Sequence, residues 1–285
     1  MLSQNPLQTT LIPPINGVEI AVLRLDAIHP VAGGNKYFKL KYNLEAANEL
    51  GLNTIVTLGG AFSNHIAATA LVGKAKGFKT IGIIRGEMPI PLNKTLKTAV
   101  INGMELQFVN RNIFRHLCEH FEIVIQKFEN AYCIPEGGSN ELAIKGCREI
   151  LQDVKHDFDV VACAVGTGTT LAGLTLSLQE HQRALGISVL KGGEFLDEQV
   201  SEFIKKENGN AAQFSINHEY HFGGYAHPDR GLNQFVEQFN DNQPFKIEPI
   251  YTGRMFYALK DLAEKHYFPK RMKVLAVHTG GLQYI

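Results

Sequence analysis

Short apolar stretches alternate with helix-like stretches along most of the chain, and this alternation constrains the fold more than any other feature. Residues 53–58 form an apolar run with β-branched side chains, which suits a buried strand. Residues 64–76 are small and Ala-rich and are followed by Gly77, as at the end of a helix. Buried strands separated by helices predict parallel sheets covered on both faces. There are too many such units for one small sheet, so the sequence predicts two α/β units.

The same two signals predict most of the remaining elements. Residues 194–217 are less regular: they predict a helix, a polar loop around 208–210 and then a strand. The other predicted strands are 79–84, 105–109, 132–134, 158–164, 184–190 and 273–278. The other predicted helices are 37–50, one that follows the loop with Pro89 and Pro91 and ends at about Asn102, 111–128, 140–154, 169–179 and 253–265.

Charge balance and composition indicate a small-molecule partner. Lys plus Arg and Asp plus Glu number 28 each among 285 residues, so no overall field favours nucleic acid or an anionic membrane. No secretory signal is visible, and no apolar run is long enough to cross a bilayer. The four cysteines form no Cys-x-x-Cys pair, and the eleven histidines show no His-x-x-x-His or comparable metal-ligand spacing. We therefore expect reduced thiols, no metal site and a cytoplasmic protein.

The segment Ala-Gly-Gly-Asn-Lys at residues 32–36 combines a flexible backbone with an amine. Two glycines and an asparagine lead directly into a predicted helix, so the backbone can approach a ligand closely. Lys36 stands at the helix N-terminus, where the local potential favours anions and lowers the pKa of an amine. Such an amine could form a Schiff base with the aldehyde of a cofactor. On these residues alone, the alternative is a surface lysine beside a turn.

A predicted strand followed by the turn Gly166-Thr167-Gly168-Thr169-Thr170 predicts a phosphate cradle. Backbone N–H groups and hydroxyls are exposed in such a turn, where a helix begins. The turn lacks the Gly-Lys-Ser/Thr ending of a Walker loop and the third glycine of a dinucleotide fingerprint. It therefore suits one phosphate better than a nucleotide. The alternative is a tight turn that holds nothing.

Other turns after predicted strands also carry polar groups. Ser63 is expected to be a helix N-cap, but it could instead hold a carboxylate while Asn64 donates to a phenolic oxygen. Tyr251 lies directly before a predicted helix, where a core tyrosine is the default, and the glycine-rich turn 135–140 could simply cap a helix. Open α/β sheets bind ligands at the carboxyl ends of their strands. Together with Lys36, these turns favour pyridoxal phosphate (PLP), which offers one phosphate, one aldehyde and one phenolic oxygen.

Six motifs occur in order along the chain, at residues 33–44, 59–65, 135–140, 166–170, 249–253 and 278–281. As a set they resemble the D-cysteine desulfhydrase and 1-aminocyclopropane-1-carboxylate (ACC) deaminase family of fold-type II PLP enzymes. The resemblance implies an α/β fold with two three-layer α/β/α domains, similar to that of tryptophan synthase β. It also implies a homodimer, and a small domain at 38–141 inserted into a large PLP-binding domain at 1–37 and 142–285.

The resemblance also implies roles for individual residues. Lys36 would form the Schiff base, Asn64 would bond the O3′ of the cofactor, and the turn at 166–170 would hold the phosphate. Tyr225 is the match to a second active-site tyrosine of the family. The implied cofactor-binding residues are Lys36, Asn64, Gly166, Thr167, Gly168, Thr169, Thr170, Thr252 and Thr279. The implied substrate-binding residues are Ser63, Asn64, His65 and Tyr251, and the implied catalytic residues are Lys36, Tyr251 and Tyr225.

Two threonines distinguish the branches of the family that the chain resembles. ACC deaminases carry a glutamate at the position of Thr252 and a leucine at that of Thr279, so both threonines favour the desulfhydrase branch. ACC has no α-hydrogen, so opening its ring demands a strongly electron-withdrawing cofactor whose ring nitrogen a carboxylate keeps protonated. D-Cysteine has an α-proton and a good leaving group, so a neutral hydroxyl suffices. We therefore expect a PLP-dependent lyase that converts D-cysteine, a small amino acid, to pyruvate, ammonia and sulfide.

Two alternatives stay open from the sequence. The first is deamination of ACC to 2-oxobutanoate and ammonia on the same scaffold. The second belongs to another class: a non-catalytic protein that binds a phosphorylated metabolite through residues 166–170 alone.

Overall fold

The computed structural model describes residues 7–28, 33–155, 157–207 and 213–282. They divide into two compact units, of which the first (unit 1) comprises Lys36–Gly146 and the second (unit 2) the described parts of 4–35 and 147–283. Each unit contains one β-sheet with helices packed on it. The predicted fold class, α/β with two three-layer domains, is confirmed.

Strands and helices alternate through both units. The strands of the described residues are β1 (Thr9–Ile15), β2 (Val18–Arg24), β3 (Thr54–Gly60), β4 (Lys79–Arg85), β5 (Met104–Val109), β6 (Tyr132–Ile134), β7 (Val160–Val165), β8 (Arg183–Ser188), β9 (Gln213–Asn217) and β10 (Lys273–His278). The α-helices are α1 (Asn35–Glu49), α2 (Asn64–Lys76), α3 (Lys94–Ile101), α4 (Arg111–Glu119), α5 (Phe121–Lys127), α6 (Glu141–Arg148), α7 (Thr169–Thr175), α8 (Phe195–Lys206), α9 (Arg230–Asn242) and α10 (Thr252–Glu264).

Unit 1 is built on a four-stranded parallel sheet of order β5-β4-β3-β6. Its central strand β3 is buried along almost its whole length, as expected for a strand covered on both faces. β3 ends at Gly60, and a turn of three residues then leads into α2 at Asn64. The polar residues Ser63 and Asn64 therefore lie at the carboxyl end of a central parallel strand, where α/β proteins bind ligands.

Unit 2 is built on a six-stranded sheet of order β1-β2-β10-β7-β8-β9. β1 pairs antiparallel with β2, and the other neighbours are parallel. β7 and β10 are adjacent, so the turn that begins at Gly166 and the turn that begins at Thr279 emerge at the same edge of the sheet. This edge brings together two segments that are more than a hundred residues apart in sequence.

The structure differs from the predicted elements at several places. The predicted helix 140–154 is α6 followed by a 3-10 turn at Glu149–Leu151, and the predicted helix 169–179 ends at Thr175. The predicted helix 111–128 is two helices, because the backbone of His120 is not helical (φ −123°, ψ 62°). The β1–β2 hairpin was not predicted, since β1 contains Pro13 and Pro14; it is an edge strand whose register shifts at these prolines, where their missing N–H groups cost little. Helix α9 was not predicted either. The predicted loop around 208–210 lies outside the described residues.

Close backbone packing between α6 and α1 in unit 1 generates a stability prediction. A Cβ atom on Gly146 would lie 2.0 Å from the carbonyl oxygen of Phe38, so Gly146→Ala must push the two helices apart. We expect Gly146→Ala to lower the free energy of unfolding by about 2 kcal/mol, because overpacking outweighs the better helix propensity of alanine. Urea unfolding followed by circular dichroism measures the change.

The matched control is Gly231→Ala in α9. A Cβ at Gly231 would meet its nearest neighbour, the Asp229 carboxylate, at 3.4 Å, which is an ordinary contact. This variant should be as stable as the wild type or more stable. Equal stability of the two variants would contradict the packing argument.

Candidate active site

The turn that precedes Lys36 is attached to two other turns of unit 2 through Asn35. The backbone N–H of Asn35 donates to the carbonyl oxygen of Thr279 (3.2 Å), and its side-chain amide donates to the hydroxyl of Thr170 (2.8 Å). Asn35 is buried and is the first residue of α1. The residue next to Lys36 is therefore hydrogen-bonded to both turns at the carboxyl edge of the unit 2 sheet.

Glycine is required at position 34 for this arrangement. Gly34 has a φ of +97°, and a Cβ built on it would lie 2.3 Å from the carbonyl oxygen of Thr279. The chain turns tightly there and passes directly against the backbone of the Thr279 turn. This glycine is thus needed for packing within the fold, and the close approach of the same backbone to a ligand stays a prediction.

The Gly166–Thr170 turn forms the predicted strand-to-helix junction. Gly168 stands at the N-cap position of α7 with φ +72°, and the N–H of Thr169 donates to the carbonyl oxygen of Thr167 (2.8 Å). Thr169 and Thr170 are buried, whereas Gly166 and Thr167 are partly exposed. A helix start with partly exposed backbone and threonine hydroxyls fits the phosphate of PLP.

Two tyrosines lie beside this turn. A Cβ at Gly166 would be 3.4 Å from Cε1 of Tyr251, so the Tyr251 ring covers the start of the turn. The ring of Tyr225 packs edge-on against that of Tyr251, with 5.9 Å between ring centroids. Both tyrosines are half-buried. In unit 2 the structure therefore brings Tyr225, Tyr251 and the Gly166–Thr170 turn together.

Ser63 and Asn64 occupy the turn after β3 in unit 1. Ser63 stands at the N-cap position of α2 with an extended backbone, but its side chain makes no capping hydrogen bond. Ser63 is therefore the expected N-cap residue in position and backbone conformation, without the side-chain hydrogen bond of a typical cap. Gly59 is needed next to it, because a Cβ there would lie 2.9 Å from the Ser63 hydroxyl. Both Ser63 and Asn64 are half-buried, and their binding roles stay predictions.

His65 follows these two residues and is fully buried. Its Nε2 lies 2.8 Å from the hydroxyl of Thr57, which itself donates to the carbonyl oxygen of Ile134. We therefore assign the ring proton to Nε2. Burial lowers the pKa of His65 well below its usual value, and the charges of Lys36 and Lys39 lower it further. His65 is a neutral ring, and its predicted contact with substrate stays a prediction.

Thr252 has a structural partner that the sequence did not reveal. Its buried hydroxyl lies 3.1 Å from a carboxylate oxygen of Glu248 and accepts a hydrogen bond from the Glu248 backbone N–H (3.0 Å). Glu248 is itself fully buried and accepts from the backbone N–H groups of Ile250, Tyr251 and Thr252 at 2.7–3.0 Å. The role of Thr252 at the cofactor stays a prediction, and Glu248 now accounts for its burial.

Sequence reasoning also missed two buried cations. Lys39 is 2% exposed, and its ammonium donates to the carbonyl oxygen of Gly137 (3.0 Å). Arg254 is 0% exposed in α10 and donates only to backbone carbonyl oxygens among its described hydrogen bonds. The available signal was a basic residue at a position where the apolar periodicity of a helix expects the core.

The described residues offer little support for other kinds of site. No group of three or more His, Cys, Asp or Glu side chains among them could hold a metal ion, and none of their helices is long and apolar enough to span a membrane.

Burial raises the pKa of the Cys118 thiol to about 12, helped by Glu136, and that of Cys133 to about 11. Both are protonated at neutral pH and are therefore poor nucleophiles.

The fold of unit 2 and the polar turns at the carboxyl ends of its strands are typical of the α/β proteins that bind small ligands at this edge of the sheet. The chain matches the family described as pyridoxal-phosphate dependent enzymes over residues 3–280, and it belongs to that family. It is an enzyme whose cofactor is PLP, and the prediction of fold-type II is confirmed. The alternative of a non-catalytic metabolite-binding protein is wrong.

Similar proteins share most of the chain. A Thermotoga maritima protein, whose name assigns ACC deaminase activity provisionally, is 31% identical and aligns with 93% of this chain and 89% of its own. An ACC deaminase of Rhizobium leguminosarum bv. viciae is 27% identical, with 87% and 82% covered. A crystal structure of an ACC deaminase homologue superposes with a TM-score of 0.88 at 27% identity, with 99% and 91% covered.

The neutral, buried ring of His65 generates a pH prediction. The unfolded chain protonates this histidine below about pH 6.5, whereas the folded protein does not, so folding stability falls as the pH drops below that value. Between pH 8 and pH 5.5 we expect the wild type to lose roughly 1 kcal/mol more unfolding free energy than His65→Asn. Urea unfolding at both pH values measures the difference.

The control for the pH effect is His181→Asn, since His181 is exposed. This variant should lose as much stability as the wild type on acidification. An identical pH dependence of wild type and His65→Asn would show that His65 titrates normally in the folded protein.

Proposed function

We propose that this protein is a PLP-dependent lyase of small amino acids that acts on D-cysteine and releases pyruvate, ammonia and sulfide. The observation that carries the proposal is the double attachment of Asn35, which ties the residue before Lys36 to both Thr170 and Thr279. An amine carried by that turn, together with a turn suited to one phosphate, matches the two groups by which PLP is held.

The cofactor-binding residues of the proposal are those that the sequence singled out. Lys36 Nζ would bond the aldehyde carbon, Asn64 would donate to O3′, and the Gly166–Thr170 turn would hold the phosphate. When bound, PLP supplies an electron sink for negative charge that develops at the α-carbon of the substrate. The half-buried position of Asn64 and the partly exposed start of the turn are consistent with these roles.

The remaining residues orient the substrate and move its protons. Ser63 and the backbone around it would bind the carboxylate, with His65 fixed behind them by Thr57. Once the substrate amine has displaced Lys36 from the aldehyde carbon, the freed Nζ, or Tyr251 as its phenolate, would accept the α-proton. The Cβ–S bond then breaks with its electron pair on sulfur, so hydrogen sulfide leaves. The 2-aminoacrylate that remains is hydrolysed by one water molecule to pyruvate and ammonia.

The choice of D-cysteine over ACC rests on the groups near α10. Thr252 provides a neutral side chain where ACC deaminases are expected to carry a glutamate, and the one buried carboxylate described there, Glu248, is engaged by three backbone N–H groups. A substrate with an α-proton and a thiolate leaving group needs less electron withdrawal by the cofactor ring than ACC does. ACC deamination is the second candidate, since similar proteins carry that name.

Three further proposals concern the whole protein: a homodimer, a cytoplasmic location, and a small domain at 38–141 inserted into a large one at 1–37 and 142–285. The extent of unit 1, Lys36–Gly146, supports the inserted domain. None of the four cysteines forms a disulfide, which supports a reducing compartment. A monomer mass by light scattering would overturn the dimer.

The attachment of the cofactor gives the first test. Protein loaded with PLP should show a visible absorption band near ~415 nm that borohydride removes. Peptide mass analysis should then find the reduced cofactor on Lys36. Lys36→Ala should lack both the band and the adduct, because no other amine would replace Nζ at the aldehyde.

The control is Lys41→Ala, a half-buried lysine of the same helix whose ammonium lies over the Tyr42 ring. It should retain the band. An adduct on another lysine, or none in the loaded wild type, would refute the proposed role of Lys36.

Substrate comparison gives the second test. We expect kcat/KM for sulfide release from D-cysteine to exceed that for 2-oxobutanoate formation from ACC by about tenfold or more, because the hydroxyls of this site suit an α-proton elimination. L-Cysteine assayed in parallel measures the enantiomer preference. Turnover of ACC alone would replace the first candidate by the second.

A further inference from the structure

Arg254 connects three segments of unit 2 through its buried guanidinium. Nη1 donates to the carbonyl oxygens of Val189 and His221, both at 2.8 Å, and Nη2 donates to that of Gly224, also at 2.8 Å. Weaker bonds reach the carbonyl oxygens of His227 (3.5 Å) and Pro249 (3.2 Å). All of these acceptors are neutral backbone groups, so a buried cation is used to bind main chain.

Most of these acceptors belong to the segment that carries Tyr225. The backbone of this segment is unusual: Phe222, Gly223, Gly224 and Ala226 all have positive φ angles, of 47°, 85°, 117° and 54°. Phenylalanine and alanine rarely adopt this region, so the segment requires external contacts to keep its shape. The guanidinium of Arg254 binds carbonyl groups before, within and after the strained residues.

Glu248 binds the backbone of Tyr251, the tyrosine that packs against Tyr225. Its carboxylate accepts from the backbone N–H of Tyr251 at 3.0 Å, directly before α10 begins. Arg254 lies three residues further along the same segment, in the first turn of α10. The two buried charges therefore act on the two tyrosines: Glu248 holds the backbone of Tyr251, and Arg254 holds the backbone around Tyr225. Their rings meet at 5.9 Å.

We propose that Arg254 is a positioning residue that sets the location of the Tyr225 ring against Tyr251. This inference rests on the proposed function, in which both tyrosines act on substrate at the cofactor. Five hydrogen-bond donors in a rigid planar fork can reach carbonyls on separate segments, which the single ammonium of lysine cannot do. Arg254 touches neither substrate nor cofactor in this proposal and acts only through Tyr225.

Hydrogen exchange gives a readout that does not depend on activity. The amides of Gly224 and His227 are hydrogen-bonded within the segment, to the carbonyl oxygens of His221 and Gly224. In PLP-loaded Arg254→Gln we expect these amides to exchange about tenfold faster or more, while amides of the neighbouring strand β8 keep their wild-type rates. Unchanged exchange in the 221–227 segment would overturn the proposal.

Kinetics then test whether this segment matters through Tyr225. Arg254→Gln should lower kcat for the preferred substrate by about 10- to 100-fold, with a smaller change in KM, since a misplaced catalytic group slows the chemical step. Tyr225→Phe should lower kcat as well, and the double variant should lose less than the product of the two single losses. Fully multiplicative losses would overturn the proposed route through Tyr225.

Two additional variants keep the test interpretable. Arg254→Lys retains the charge and serves as the second variant if Arg254→Gln fails to fold. We expect Arg254→Lys to recover more of the wild-type stability than of the wild-type kcat. Wild-type kcat and exchange in Arg254→Lys would overturn the proposal.

Arg183→Gln is the matched control: this half-buried arginine of unit 2 packs over the Tyr267 ring, and its loss should leave kcat unchanged.

The outcomes separate this inference from the proposed function. If loaded wild type turns over neither D-cysteine nor ACC, the proposed function fails, and the exchange experiment still decides whether Arg254 holds the Tyr225 segment. If the wild type is active and a folded Arg254→Gln keeps its kcat, the proposed function stands and the role of Arg254 is refuted.

Discussion

The hydrogen bonds of Asn35 are the constraint on which the arrangement of unit 2 depends. One bond from its backbone and one from its side chain attach the start of α1 to two turns that emerge from neighbouring strands, β7 and β10. Because Asn35 is buried, neither bond competes with bulk water, and an unpaired amide there would be costly. Lys36 is the next residue along the chain after this attached asparagine.

Two buried charged residues of unit 2, Glu248 and Arg254, bind backbone groups. Glu248 caps the start of α10 by accepting three N–H groups, and Arg254 binds carbonyl groups of three segments. Burial raises the pKa of Glu248 and lowers that of Arg254; backbone hydrogen bonds oppose the shift at Glu248, and the charge of Glu248 opposes it at Arg254. Such groups are expensive to bury unless fully satisfied, which is typical of sites that require fixed geometry.

Unit 1 uses a neutral ring for a related purpose. His65 is kept uncharged by burial and by the charges of Lys36 and Lys39, and its Nε2–H is directed to Thr57. A neutral His65 adds no positive charge beside the Lys36 amine, so the local field there is set by the lysines. Ser63, directly before Asn64 in the same turn, stands at the N-cap position of α2 but makes no side-chain capping hydrogen bond.

The sequence by itself determined the α/β class, most strand positions, and the turns that carry Lys36, Ser63 and Thr167, because hydrophobic periodicity and turn chemistry are local signals. It did not reveal the break at His120, the edge hairpin with Pro13, or α9. Only the tertiary structure decided that Asn35 meets Thr170, 135 positions away. It also decided that the Thr252 hydroxyl binds Glu248 and that Arg254 binds the segment that carries Tyr225. These are hydrogen bonds across turns or between distant segments, whose geometry exists only once the sheet has placed its strand ends together.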